Sequence, residues 1–239
     1  MSQSITAIHP LALEASEQML ARLEWVTLQP QTILVLDQPD AESVASLRAR
    51  YPKATVLHDY SHSLAEKQSQ INTQTADHSV DLIFANFILP WCQTPEALLL
   101  EWQRLLRPEG LLMFSSLGPD TLRAWRTTVT VLPELVDMHN LGDALTQARW
   151  LDPVMDVDYV TLSYSGAAKA LEELQASQMI RASELSDVSH LQNAEGKWFA
   201  TFEIVYGHTW KRPHTDTVYA DENGVASFPL AHLRRRKGA

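Results

Sequence analysis

Residues 80–117, VDLIFANFILPWCQTPEALLLEWQRLLRPEGLLMFSSL, read in order as strand, helix and strand. Val80–Leu89 is almost wholly apolar, as a strand covered on both faces and its exit loop require. Thr94-Pro95-Glu96 then supplies an N-cap residue, a proline at the first helical position and an acid in the first turn. Leu98, Trp102, Leu105 and Leu106 fall near one face of the helix that follows, which ends near Leu106. Pro108-Glu109-Gly110 marks a turn, and Leu111–Leu117 is a second buried strand. Buried strands joined by a helix point to an α/β domain with a mainly parallel sheet.

The same pattern extends outward in both directions. Ala12, Ala15, Met19, Leu20, Leu23 and Val26 are spaced for an amphipathic helix over 11–26. Thr32–Leu36 and Ala54–Leu57 are short strands. Between them Pro39-Asp40 opens a helix to about Arg50, with Asp40 as its N-cap. Residues 58–79 are polar and almost without apolar period. Further helices fit 119–128, 141–149 and 166–176, and late strands fit 154–163 and 198–206, which could close one edge antiparallel. No repeat or linker divides the chain, so residues 1–239 are expected to form a single domain. Its halves differ at residue 110, because the first 109 residues contain no glycine.

Composition excludes several classes. The chain has 45% apolar and 20% charged residues, which suits a folded core. Its formal net charge of −10 argues against nucleic-acid binding, which needs a basic face. The one dense basic run is the tail Arg234-Arg235-Arg236-Lys237, read as a solvated end or a dock for an acidic partner. The single cysteine, Cys92, permits no internal disulfide and no cysteine-cluster metal site, and its apolar setting predicts a buried thiol. No histidine–carboxylate spacing suggests zinc, so no metal is expected. The N-terminus lacks a signal-peptide plan, and no run approaches a membrane span. A cytoplasmic protein is expected.

Three blocks carry a resemblance to a known family. They are Arg22–Asp37 (RLEWVTLQPQTILVLD), residues 79–122 (SVDLIFANFILPWC through LRPEGLLMFSSLGPDTL), and Asp137–Leu145 (DMHNLGDAL) with Asp152–Tyr164 (DPVMDVDYVTLSY). With Tyr206-Gly-His-Thr-Trp210 they resemble the class I S-adenosylmethionine (SAM)-dependent methyltransferases of the biotin pathway. Those enzymes methylate the free carboxyl of a malonyl group on acyl carrier protein, and the related mitochondrial complex I assembly factor is similar. LRPEGLLMF is common to many methyltransferases. GPDTL, DMHNLGDAL and DPVMD are far more specific. The resemblance implies a Rossmann-like sheet with helices on both faces, SAM as cofactor, and acyl carrier protein as partner.

The departures from the family pattern fall in the first half. The family places Asp-x-Gly-x-Gly-x-Gly after strand 1. Here Asp37 matches the acid, while Pro39, Ala41 and Ser43 stand where the glycines belong. Those glycines let a cofactor lie against bare backbone. Proline fixes φ and removes a donor, and Asp40 and Glu42 add negative charge where a cofactor carboxylate would sit. In addition, only 21 residues separate Asp59 from Asp81. The family fits a helix, strand 3 and an adenine-contacting loop into a longer segment, so the fold is expected to be shortened around strand 3. Residues 1–110 thus read as a degenerate cofactor half and 111–239 as a substrate half with a basic tail.

Carried over residue by residue, the resemblance places Asp37 at the cofactor's amino group, Asp59 at the ribose hydroxyls and Asn86 beside the transferred methyl. Each also has a plain structural reading as a turn or loop residue. His139 and His208 are candidates for positioning substrate, because a malonyl carboxylate is already ionised at neutral pH and needs no base. Trp91 and Tyr164 are candidates for an acyl pocket; Trp25, Trp102, Trp125, Trp150, Trp198 and Trp210 read mostly as core or cap residues. Arg104, Arg107, Arg123 and Arg126 could dock an acidic carrier protein. Two functions stay open at this point. One is a pseudo-methyltransferase serving as a binding or regulatory module. The other is an active O-methyltransferase on a malonyl thioester or similar acid.

Overall fold

The structure is a computed structural model that describes residues 9–36, 42–59, 75–92, 94–131, 133–177, 179–181, 188–213, 219–220 and 226–227. Helix α1 (His9–Arg22) leads through a 3₁₀ turn (Leu23–Trp25) to β1 (Thr32–Leu36). Then come α2 (Glu42–Arg50), β2 (Thr55–Asp59), β3 (Val80–Ala85), α3 (Pro95–Leu105) and β4 (Leu106–Leu117). The second half carries α4 (Met138–Gln147), β5 (Leu151–Tyr164), α5 (Ala167–Ala176) and β6 (Trp198–Trp210), with two short strands at Tyr219–Ala220 and Ala226–Ser227. The main sheet has the order β2-β1-β3-β4-β6-β5. The first four strands are parallel, and β6 runs antiparallel to both β4 and β5. The expected mainly parallel Rossmann-like sheet with an antiparallel late edge is what forms.

Both faces of the sheet are covered. Leu11, Ala15, Met19, Val44, Leu47, Leu171 and Leu174, from α1, α2 and α5, pack on Ile33, Val35, Leu82, Phe84 and Met113. On the other face Leu98, Trp102 and Leu105 of α3 and Leu141 and Leu145 of α4 cover Leu34, Ile83, Leu112 and Phe114. Each such leucine, isoleucine, valine, phenylalanine or methionine is worth about 1.5–3 kcal/mol when fully buried. Trp102 is fully buried, as are Trp125 and Trp150 within a percent. Trp25 is not, and stands 88% exposed at the end of the 3₁₀ turn.

Among the described residues the sheet ends on β2, with β3 the next strand in the chain. The segment that would carry a further strand is short, in keeping with the contraction expected around strand 3. Pro108-Glu109-Gly110, expected as a turn between elements, is a bulge inside β4. Val80 pairs with Leu106 and Leu82 with Leu111, so four residues of β4, 107–110, oppose the single Asp81 of β3. Glu109 takes a positive φ of 62° there, and its N–H donates to the Lys211 carbonyl. The helix expected over 119–128 does not form; that stretch is a series of turns with a single 3₁₀ turn at Arg123–Trp125.

Candidate functional site: the rim at the carboxyl ends of the parallel strands

The carboxyl ends of β1, β2, β3 and β4 fall on one edge of the sheet, where open α/β sheets bind ligands. Asn86, the first residue after β3, sits at the centre of that edge, and its backbone N–H donates to the Leu36 carbonyl at the end of β1. Its side chain is 4% exposed. Nδ2 donates to the Ala12 carbonyl at 2.9 Å and to Ser16 Oγ at 2.8 Å, both on α1. Oδ1 accepts from Ser115 Oγ of β4 at 2.6 Å, and Ser115 Oγ in turn accepts from the Phe87 N–H at 2.9 Å. Asn86 thus ties α1, β3 and β4 together, and both its side-chain N–H groups are committed inside the fold.

Past Asn86 the chain turns sharply, with Phe87 at φ 50°, into the 3₁₀ turn Leu89–Trp91. The Pro90 carbonyl accepts from the Glu134 N–H, which draws residues 134–137 to the rim. Asp137 caps α4 there, accepting from the His139 N–H at 2.8 Å and lying 3.0 Å from His139 Nδ1. These hydrogen bonds, the backbone one first, hold the Asp137 carboxyl below its ordinary range. The His139 imidazole is otherwise open to solvent.

The far wall of the rim is the segment after β4. Gly118 N–H donates to the Glu203 carbonyl, Leu122 N–H to the Thr201 carbonyl and Trp125 Nε1 to the Phe199 carbonyl. The buried Glu203 carboxylate accepts from the Asp120 N–H at 2.6 Å. The GPDTL block is therefore fastened to β6 rather than folded as a helix. Behind it, Arg22 at the end of α1 reaches across β6, its guanidinium 4.0 Å from the Tyr206 ring centroid and 2.5 Å from Asp156 Oδ2. Tyr206 Oη is buried with no hydrogen-bond partner among the described residues, and burial pushes its phenol up.

The candidate residues are not all brought together. Asp37, with Pro39, Asp40 and Ala41, lies outside the described residues, as do the Asp59 side chain and the tail Arg234–Lys237. Ser43, at the third glycine position, is fully buried in the first turn of α2. Trp91 is half-buried at the rim. Tyr164 ends β5 on the same side but packs under α5; burial, and after it the neighbouring Glu173, push its phenol up to about 12. His208 pairs with Met113, four residues back from the end of β4, about 13 Å from the rim. It does not join His139, and its lowered pKa follows from burial alone.

The four arginines likewise do not form one surface. Arg104 pairs with Glu101 and Asp77, and Arg107 with Asp81, all near the start of β4. Arg123 and Arg126 lie beyond its other end, with Asp120 and with the Pro119 and Thr121 carbonyls. Residues that sequence reasoning passed over are Ser16, Ser115, Arg22 and Glu203. Only Glu203 carried a local signal, as an acid inside the apolar run WFATFEIVYG.

Comparison with known proteins bears on the same features. The profile of a methyltransferase domain family matches residues 11–114. The malonyl-[acyl-carrier protein] O-methyltransferase of Methylovorus sp. is 33% identical, covering 84% of this chain and 82% of that one. Those of Gallionella capsiferriformans and Coxiella burnetii are 31% and 30% identical, covering 84% and 92% of this chain and 84% and 88% of theirs. Among solved structures, a candidate methyltransferase from Bacillus halodurans superposes with a TM-score of 0.54 at 10% identity, covering 81% of this chain and 98% of that one. The Methylovorus alignment spans 246 positions, yet 84% of 239 residues is about 201, so about 45 positions of the relative have no counterpart here. Among the described residues no helix is long and apolar enough to cross a membrane.

Proposed function

The chain belongs to the malonyl-[acyl-carrier protein] O-methyltransferase family, and from that premise we propose that it keeps the family's fold without the family's cofactor affinity. On this reading it works in the cytoplasm as a binding or regulatory module, with an acyl carrier protein or another protein as partner. The observation that carries the reading is the contraction of the first half. The 21 residues between Asp59 and Asp81 leave little room for an adenine-side wall, and in the Methylovorus alignment about 45 positions of the relative have no counterpart in this chain. Two further features support it. Pro39, Ala41 and Ser43 replace the glycines that would admit a cofactor to the backbone. Asn86 spends both side-chain N–H groups on Ala12 and Ser16. On this reading the residues at the family's cofactor position suit SAM poorly.

The second half favours an active enzyme. Asp137 and His139 stand near the rim, drawn there by the Glu134 N–H to Pro90 carbonyl bond, and the GPDTL block is ordered on β6. A malonyl carboxylate there would need orientation rather than a base. Calorimetric titration of the purified chain with SAM and with S-adenosylhomocysteine separates the readings, with the Methylovorus enzyme as control. The expected result is no saturable heat for this chain up to about 1 mM ligand, where the control binds. Saturable binding in the micromolar range would overturn the proposal and return the chain to the active methyltransferases.

A further inference from the structure

Among the described residues β5 is the last strand of the sheet and is paired on one side only. A strand so placed offers its outward N–H and C=O groups to any extended chain that meets it. The hydrogen bonds of the far wall fix which residues these are. Gly118 and Leu122 donate to the carbonyls of Glu203 and Thr201, so the odd residues of β6 face β4 and the segment beyond it. Its even residues then face β5, where Tyr206 is opposite Asp156 and Ile204 opposite Asp158. Alternation along an antiparallel ladder turns the odd residues of β5 outward: Pro153, Met155, Val157, Tyr159, Thr161 and Ser163.

Along most of that row the donors are already taken. Pro153 has none. The Val157 N–H donates to Asp156 Oδ1 at 2.8 Å, and the Tyr159 N–H donates to Asp158 Oδ1 at 2.7 Å. Register also shifts between Leu151 and Val154, where Asp152 holds a positive φ of 49°. Such an irregularity spoils the regular row that an added strand needs. From Pro153 to Tyr159, Met155 alone keeps an outward N–H without one of these devices. Asp156 also pairs with Arg22, but Asp158 makes no ion pair among the described residues. Its described partner is the backbone donor beside it.

We infer that the block Asp152-Pro-Val-Met-Asp-Val-Asp158 is an edge guard, in which Asp156 and Asp158 occupy the backbone donors that a second copy of this chain would use to extend the sheet through β5. This gives DPVMD, a block that marks the resemblance and lies away from the rim, a role in keeping the molecule from pairing with itself. The test is sedimentation velocity over a concentration series on wild type, D158T, D156T/D158T and D156N/D158N. Threonine favours a strand and cannot cap in the same way, whereas an asparagine Oδ1 can accept the same backbone hydrogen bond. The double threonine variant is expected to self-associate at least about tenfold more tightly than wild type, with D158T intermediate and the asparagine pair unchanged. D158T leaves the Arg22–Asp156 pair in place, so it reads the guard even if the double variant folds poorly. Threonine variants that associate no more than wild type would overturn the inference. So would an asparagine pair that associates as tightly as the threonine pair, since that would assign the effect to charge alone.

Discussion

The Glu203 carboxylate lies against the α-carbon of Gly118, so closely that a Cβ there would stand 2.6 Å from either carboxylate oxygen. This contact explains why GPDTL begins with glycine: the strand must pass under a buried acid. Replacing Gly118 with alanine is expected to cost about 1–3 kcal/mol, as overpacking does. E203A is expected to cost a similar amount by leaving the Asp120 N–H without its acceptor, while E203Q keeps an acceptor and costs less. Urea denaturation of the three variants checks the order.

Asn86 makes the opposite kind of prediction about function. Its amide joins Ala12, Ser16 and Ser115, so N86A strands several buried polar groups and is expected to destabilise the fold by about 1–3 kcal/mol. N86D is expected to be no better, because a carboxylate oxygen would face the Ala12 carbonyl where a donor now sits. Both effects belong in denaturation midpoints. A variant of normal stability with altered ligand binding would place Asn86 in a working cofactor site instead.

These two residues also show what could be read from the sequence. The βαβ unit at 80–117 was legible because strand burial and helix spacing are local properties of the chain, and Thr94-Pro95-Glu96 marks its helix start. Asn86 was legible as a rim position, but its partners lie 70 and 74 residues away on α1, where no local pattern points. The stretch 119–128 misled for a related reason. Leu122 and Trp125 are three apart, which suits a helix, yet Leu122 takes φ 53° and gives its N–H to Thr201 on β6. Long-range pairing overrode the local spacing. Pro108-Glu109-Gly110 looked like a turn and is one in geometry, but β3 and Lys211 hold it inside the strand.

Stability should fall at both ends of the pH scale for identifiable reasons. Burial lowers the His208 pKa below its ordinary 6.5, so the unfolded chain takes up that proton first. The contribution is complete above pH 6.5 and is lost as pH falls toward the folded value. Tyr164 is raised from 10.0 to about 12, so its contribution is complete below pH 10 and is lost as pH rises through that interval. H208F is expected to flatten the acid limb as pH falls below 6.5, and Y164F to flatten the alkaline limb above pH 10. Denaturation midpoints against pH check both. An acid limb unchanged by H208F would mean that His208 does not titrate with folding.

Arg22 offers the sharpest test of how α1 is held to the late strands. Its guanidinium stacks on Tyr206, donates to Asp156 at 2.5 Å and reaches back to the Gln18 carbonyl at 3.0 Å. Asp156 is 59% exposed in its side chain, so the ion pair alone is worth little. The stack over a buried ring is the larger contribution, about 1–2 kcal/mol when desolvated. D156N should therefore change stability by less than R22A, and R22K should resemble R22A, because an ammonium lacks the planar face that covers the ring. Since Asp156 Oδ1 caps Val157 whether or not Arg22 is present, R22A is also expected to leave self-association at the wild-type level. Chemical denaturation and sedimentation of the same three variants measure the two effects separately. If D156N proved as costly as R22A, the ion pair to β5 rather than the aromatic stack on β6 would be what anchors α1 to the late strands.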